Sequence, residues 1–347
     1  MSHGVTPASS IESEADLEDL LSQPTPLVID ALARASGDIL VLGASGKMGP
    51  SLARMARRAS DMAGAPRRVI GVARFAAGGG EELESYGIET IACDLLNEDE
   101  VMKLPDAANV IFMLGRKFGS TGDEPMTWAM NAWLPTVVCR RYRNSRIVAF
   151  STGNVYGLTS VTAGGSRETD LPQPVGEYAM SCLGRERLFD YFSRSLSIPM
   201  AIIRLNYACD LRYGVLVDLA QRIERGQPID LAMGHFNTIW QGDANAMVLA
   251  ALSHVATPAW VVNVTGPELL SVRPVCKRLG DLLDKPVQFL GSESPTALLS
   301  DASLAIERFG PPPIGAERLI EWVAAWVRRG GRMLDRPTHF ESRSGRF

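Results

Sequence analysis

The chain has 347 residues, 46% hydrophobic and 21% charged, with a formal net charge of −4: an ordinary globular balance, longer than one typical domain and without the basic excess that nucleic acid demands. Five cysteines (Cys93, Cys139, Cys182, Cys209, Cys276) show no C-x-x-C spacing and only four histidines occur, which argues against a metal centre and fits free thiols in a reducing compartment. No apolar span reaches 18 residues and no basic-then-apolar leader opens the chain, so a cytoplasmic protein with no membrane or nucleic-acid partner is expected.

Residues 1–10 read as a frayed tail. Ser13-x-x-Asp16 followed by Leu17, Leu20 and Leu21 predicts a capped amphipathic helix ending near Pro24 and Pro26, with a second short helix over 27–34. Alternation then begins. Short apolar runs at 38–43, 68–73, 90–93, 109–114, 146–150 and 199–204 read as strands, separated by helical patterns such as 50–60, 126–142 and 178–195. Strand–helix alternation of this kind builds a parallel sheet covered on both faces.

After about residue 206, helices at 215–225, 243–254, 273–283 and 315–329 mix with short strands at 260–264 and 287–290, and Pro311-Pro-Pro313 precedes the last helix. The expected organisation is an N-terminal helical extension (1–37), a doubly wound parallel α/β domain (38–205) and a smaller α/β lobe (206–347) over the sheet's C-terminal edge. Open α/β folds bind ligands at that edge.

Gly43-Ala-Ser45-Gly46-Lys47-Met48-Gly49 lies between the first strand and its helix, where a glycine turn has a physical task. Gly43 permits the tight turn, Gly46 lets the backbone approach a pyrophosphate and Gly49 allows close packing of helix on strand. The helix N-terminus then offers free N–H groups and positive dipole to phosphate.

The G-x-x-G-x-x-G spacing resembles the extended short-chain dehydrogenases/reductases, the NAD-dependent epimerase/dehydratase family. The resemblance continues through Asp94-Leu95, Asn131, Ser151-Thr-Gly-Asn-Val-Tyr-Gly157 and the helix opened by Tyr178, covering about residues 38–265. It implies a Rossmann-type fold, a bound NAD or NADP, and a substrate oxygen held by Thr152 and Tyr178. At the end of the second strand stands Arg74, with no Asp or Glu between Val69 and Gly80; a guanidinium there favours the 2′-phosphate of NADP over the free ribose of NAD. Gly153 and Asn154 stand where nucleotide-sugar dehydratases carry Asp-Glu, which argues against 4,6-dehydration.

One position departs from the family. Tyr178-x-x-x-Cys182 replaces Tyr-x-x-x-Lys, so the charge that lowers the tyrosine pKa and grips the nicotinamide ribose is missing there. A free phenol with pKa near 10 is ionised in only about one molecule in a thousand at neutral pH, a handicap of about 4 kcal/mol for alcohol oxidation. A neutral phenol still donates a proton, so carbonyl reduction suffers less. Two cations are candidate replacements: Arg185, on the same helix face as Tyr178, and Lys117, in Met113-Leu-Gly115-Arg-Lys117, which resembles the UDP-galactose 4-epimerase segment that contacts NAD through a lysine.

On the substrate side, Arg204-Leu-Asn206-Tyr207 resembles the family segment that runs past the nicotinamide. Asn154, Asn206, Arg212 and Tyr213 are the candidate substrate contacts, and Asp243 reads as a helix N-cap. A sugar-like or polyol substrate follows from the resemblance. The apolar faces Trp128, Trp133, Val137 and Leu183, Leu188, Phe192 suit either a homodimer or the core. Two functions stay open: an NAD(P)-dependent oxidoreductase or epimerase, and a dinucleotide-binding sensor, lyase or isomerase that keeps the cofactor pocket without redox turnover.

Overall fold

The computed structural model describes residues 11–76 and 78–346, so the frayed tail expected over 1–10 lies outside the described residues. Two helices come first. α1 (Glu14–Leu21) starts with a capping box: Ser13 Oγ accepts the Asp16 N–H at 3.1 Å and the Asp16 carboxylate accepts the Ser13 N–H at 2.9 Å. α2 (Pro26–Arg34) has Pro at its first position and Thr25 as its cap.

Seven parallel strands form one sheet: β1 (Ile39–Leu42), β2 (Val69–Ala73), β3 (Glu89–Ala92), β4 (Asn109–Phe112), β5 (Arg146–Thr152), β6 (Met200–Leu205) and β7 (Trp260–Val264). Their spatial order is β7-β6-β5-β4-β1-β2-β3. The order reverses between β1 and β4, so the crevice opens beyond their carboxyl ends.

Successive side chains of a strand face opposite sides, which assigns each to its own core. Ile39 and Val41 pack with Val28 and Leu32 of α2, Leu52 and Ala56 of α3 (Gly49–Met62), and helix residues Ala244, Val248 and Leu249. Leu40 and Leu42 pack instead with Leu134 and Val138 of α4 and Phe189 of α5. Here α4 is the helical run Glu124–Trp128, Ala129–Trp133, Leu134–Arg141, whose middle turn is π-helical, and α5 is Gly176–Leu196.

A third core belongs to the smaller lobe, built on α6 (Val215–Glu224), α8 (Val272–Leu283) and α9 (Ala316–Arg328). Leu17 and Leu21 of α1 are fully buried in it, so the N-terminal extension reaches both layers.

Two sequence expectations change. The strand at 260–264 leaves the smaller lobe and becomes the edge strand β7, paired in register from Trp260↔Ala201 to Val264↔Leu205. The helix before it, α7 (Gln241–Ala250), packs on α2 and α3, so the chain beyond residue 206 returns to the main sheet. Asp243 is not the N-cap of α7. That position is Trp240, and the Asp243 carboxylate instead accepts the Ile314 N–H at 3.0 Å, holding the segment after the proline run.

Candidate active site and dinucleotide groove

The glycine turn hangs from the sheet. Gly43 and Ala44 N–H both reach the Val72 carbonyl, at 2.8 and 3.2 Å, and Gly46 and Gly49 N–H close tight turns onto Gly43 and Gly46. Gly43 has φ +92°, a region that penalises a side chain. A Cβ on Gly49 would collide with the Ala44 carbonyl oxygen, so this glycine serves closure of the turn itself rather than helix-on-strand packing. A Cβ on Gly46 would meet only the Gly43 oxygen, at 3.2 Å, and otherwise project into open space. No side chain caps α3; its Gly49 N–H is spent on Gly46 and Pro50 has none, so the positive end of the helix dipole is what it offers an anion. These features fit a dinucleotide diphosphate.

Two connected cavities flank the turn and share Gly43, Gly46, Met113 and Lys117. The outer one, about 580 Å³, is walled by Ser45, Arg74, Asp94, Leu95 and Gly115. The inner one, about 260 Å³, carries Lys47, Met48 and Gly49 on one side and Thr152, Asn154, Tyr178, Asn206 and Tyr213 on the other. Most residues singled out from the sequence therefore meet along one groove.

Four do not line it. Asn131 is fully buried; its Oδ1 accepts from Arg116 N–H at 2.8 Å and its Nδ2 donates to Ser181 Oγ at 2.9 Å, so it shapes the 115–116 loop from behind. Cys182 is fully buried against Val155, Tyr156 and Tyr178. Arg185 spends its donors on the Asn131 carbonyl (3.2 Å), Asn131 Oδ1 (2.6 Å) and the Phe150 carbonyl (2.9 Å), which rules it out as a mobile ribose contact. Arg212 pairs with Glu18 at 2.6 Å and Asp210 at 3.0 Å, tying α1 to the smaller lobe rather than meeting substrate.

Thr152 and Tyr178 stand together on the inner wall, where the Thr152 hydroxyl acts on the Tyr178 phenol. Burial pushes the Tyr178 phenol up; the Cys182 thiol beside it adds to the shift, while Arg185 and the Thr152 hydroxyl oppose it. Burial likewise pushes the Cys182 thiol up, against Arg185, Tyr178 and Lys117. Both groups are therefore neutral at pH 7. Thr152 Oγ1 also accepts the Asn154 N–H at 3.2 Å, which orients the hydroxyl.

Lys117 lies on both cavities. Desolvation pulls its ammonium down to about 8, opposed by Asp218, Glu341 and Cys182. It donates to the Thr338 carbonyl at 2.8 Å. Lys47 is similarly engaged, donating to the Ala208 carbonyl at 2.8 Å and lying 4.2 Å over the Tyr213 ring. It joins the glycine turn to the smaller lobe.

The sequence reading missed the chain's last stretch. Thr338 lines the inner cavity and Arg336 the outer one, and no motif marks either. Tyr207 also lines the inner cavity, with φ +46°, a strained conformation for a bulky residue that only its surroundings impose.

The model of the NAD dependent epimerase/dehydratase family matches residues 39–235. The 2-alkyl-3-oxoalkanoate reductase of Shewanella oneidensis is 26% identical over 218 residues, 56% of this chain and 51% of that protein. The chain thus spans about half the length of that curated relative.

Solved structures share the fold at low identity. The UDP-glucuronic acid 4-epimerase of Bacillus cereus, in complex with UDP-glucuronic acid and NAD, is 21% identical, with a TM-score of 0.70 over 84% of this chain and 99% of that one. The UDP-glucose 4-epimerase of Thermotoga maritima, with UDP-glucose, is 17% identical, with 0.69 over the same shares. The dTDP-glucose 4,6-dehydratase DesIV of Streptomyces venezuelae, with NAD and TYD bound, is 16% identical, with 0.70 over 84% and 97%. With the family model covering more than half of its length, this chain belongs to the NAD dependent epimerase/dehydratase family.

Proposed function

We propose that the protein is an NAD(P)-dependent oxidoreductase or epimerase acting on a small sugar-like or polyol substrate, working most readily in the direction of carbonyl reduction. One observation carries the reading. Thr152 and Tyr178 line one cavity together with the glycine turn, and the Lys117 ammonium lies on the same cavity.

A bound nicotinamide supplies or accepts the hydride. The protein's own part is to position and protonate. The Thr152 hydroxyl donates to the substrate oxygen, and the Tyr178 phenol, held protonated by burial, delivers its proton as the carbonyl becomes an alcohol. Lys117, charged below about pH 8, offsets the phenolate left behind, the task that Cys182 cannot perform. Asn154 and Asn206 offer amide groups for substrate hydroxyls. Arg74, exposed at the end of β2 with no acid nearby in sequence, supports NADP over NAD.

A soluble cytoplasmic homodimer is part of this reading. Its support is the exposure of Trp128 (38%), Trp133 (46%), Met180 (44%) and Tyr191 (60%) on neighbouring helices α4 and α5. Val137 is not on that face; it lies in the core. Among the described residues no helix is long and apolar enough to cross a membrane.

The test is NAD(P)H oxidation with a panel of keto-sugars and other polyhydroxy ketones, comparing wild type with Tyr178→Phe. Loss of the general acid should cost about 10²–10⁴-fold in rate. Equal rates for the two proteins would sink the proposed role. Cys182 favours a second reading, a dinucleotide-binding sensor, lyase or isomerase, because a neutral thiol occupies the lysine position. Redox turnover by Cys182→Lys where wild type has none would select it.

A further inference from the structure

The outer cavity is walled by four cationic side chains, Arg74, Arg116, Lys117 and Arg336, against the single carboxylate of Asp94. Two are committed. The Arg116 guanidinium binds Asp123 at 2.8 Å and the Gly119 carbonyl at 3.1 Å, and the Lys117 ammonium holds Thr338. Arg74 and Arg336 carry no ion pair among the described residues. A cavity with this surplus of charge suits a ligand with more than one anionic group.

Arg336 comes from the far end of the chain, exposed just ahead of a stretch that is anchored to the smaller lobe. Two residues on, Thr338 is 2% exposed, with its N–H and hydroxyl both on the Asp218 carboxylate at 2.8 and 2.5 Å. Phe340 is 1% exposed in the core of the smaller lobe. Glu341 pairs with Arg222 at 2.6 Å, and Arg343 donates to the Thr296 carbonyl at 2.8 Å. The segment is thus a fixed wall rather than a loose tail.

The two uncommitted guanidinium groups mark different parts of the groove. Arg74 ends β2, the ribose end. Arg336 acts electrostatically on the Tyr213 phenol, over whose ring lies Lys47 of the glycine turn, and it shares its cavity with Ser45 and Gly46. Resting on the dinucleotide reading above, we infer that Arg336 binds the diphosphate bridge of the cofactor, closing over it from the side opposite the N-terminus of α3. The planar fork of an arginine matches two phosphate oxygens at once. The carboxy-terminal segment is then the third wall of the dinucleotide site, alongside the glycine turn and the 115–117 loop.

Titration calorimetry of the 347-residue chain with NAD, NADP and adenosine 2′-monophosphate, which has the 2′-phosphate and neither phosphate of the bridge, tests this. Arg336→Gln should weaken NAD and NADP alike by about tenfold or more and leave the monophosphate unchanged. Arg336→Lys, keeping the charge and losing the fork, should fall between. Arg74→Gln should weaken NADP and the monophosphate and spare NAD. Arg336→Gln within twofold of wild type for both dinucleotides would overturn the inference, and so would a loss confined to NADP and the monophosphate. Wild type that binds neither dinucleotide would overturn the proposed function itself, and this inference with it.

Discussion

The Lys117 ammonium donates to the Thr338 carbonyl at 2.8 Å, joining the loop after β4 to a residue 221 positions later, at the inner cavity beside Tyr178. This bond fixes a cation on the cavity of Thr152 and Tyr178 from outside the helix that carries Tyr178. The same arrangement desolvates the ammonium and pulls it down to about 8.

That value sets a pH dependence. Lys117 is charged below about 8 and neutral above it, so the reductive kcat/KM should be level near pH 7 and fall on the alkaline side with a midpoint near 8. Lys117→Met should lose about 10- to 100-fold at pH 7 and flatten that limb, as read by steady-state NAD(P)H oxidation from pH 6 to 10. A midpoint unchanged in the variant would assign the limb to another group.

A stability prediction concerns Arg204. Its guanidinium does not run toward substrate; it forms a buried pair with Glu186 at 2.7 Å, both side chains about 5% exposed or less. Ser151 Oγ donates to Glu186 at 2.5 Å and Arg204 donates to Tyr156 Oη at 2.7 Å. Arg204→Met leaves a buried carboxylate without its partner and should cost about 3–5 kcal/mol. Urea unfolding of Arg204→Met, Glu186→Gln and the double variant measures it, and the double should recover part of the loss.

Asp243 makes the fold sensitive to base. Burial raises its carboxyl to about 7, only partly opposed by the Ile314 N–H. The folded protein then holds this proton more tightly than the unfolded chain, so stability should fall as pH rises from about 4 to 7 and level off above. Asp243→Asn keeps an acceptor for Ile314 and abolishes the ionisation. Thermal unfolding should show it more stable than wild type at pH 8, by a few kcal/mol at most, with the gap closing toward pH 4. A gap independent of pH would refute the assignment.

The exposed aromatics of α4 and α5 predict the assembly state. Light scattering should find wild type as a dimer, and Trp133→Asp with Tyr191→Asp should give monomers whose helical signal is unchanged. Monomeric wild type would leave that face unexplained by self-association.

Local order decided what could be read from the chain alone. The capping box at Ser13–Asp16, the apolar runs of six of the seven strands and the glycine spacing at 43–49 are short-range patterns, set by backbone geometry within a few residues. They carried the fold class and the position of the phosphate turn. Side-chain destinations across the fold had no such signal. Arg204 turns to Glu186, Asp243 to Ile314 and Arg212 to Glu18, because a buried charge or polar group goes where a partner from another element satisfies it. Cys182 and Asn131 sit behind the wall because helix periodicity gives spacing along α4 and α5 but not their rotation against the sheet. The strand at 260–264 joined the main sheet for the same reason: pairing with β6 is a long-range contact. The sequence alone determined a family fold with a glycine turn and a Tyr178 helix that has Cys182 where the family carries lysine. Only the tertiary structure brought Lys117, Arg336 and Thr338 to that site, since packing of the carboxy-terminal segment, not spacing along the chain, makes them neighbours.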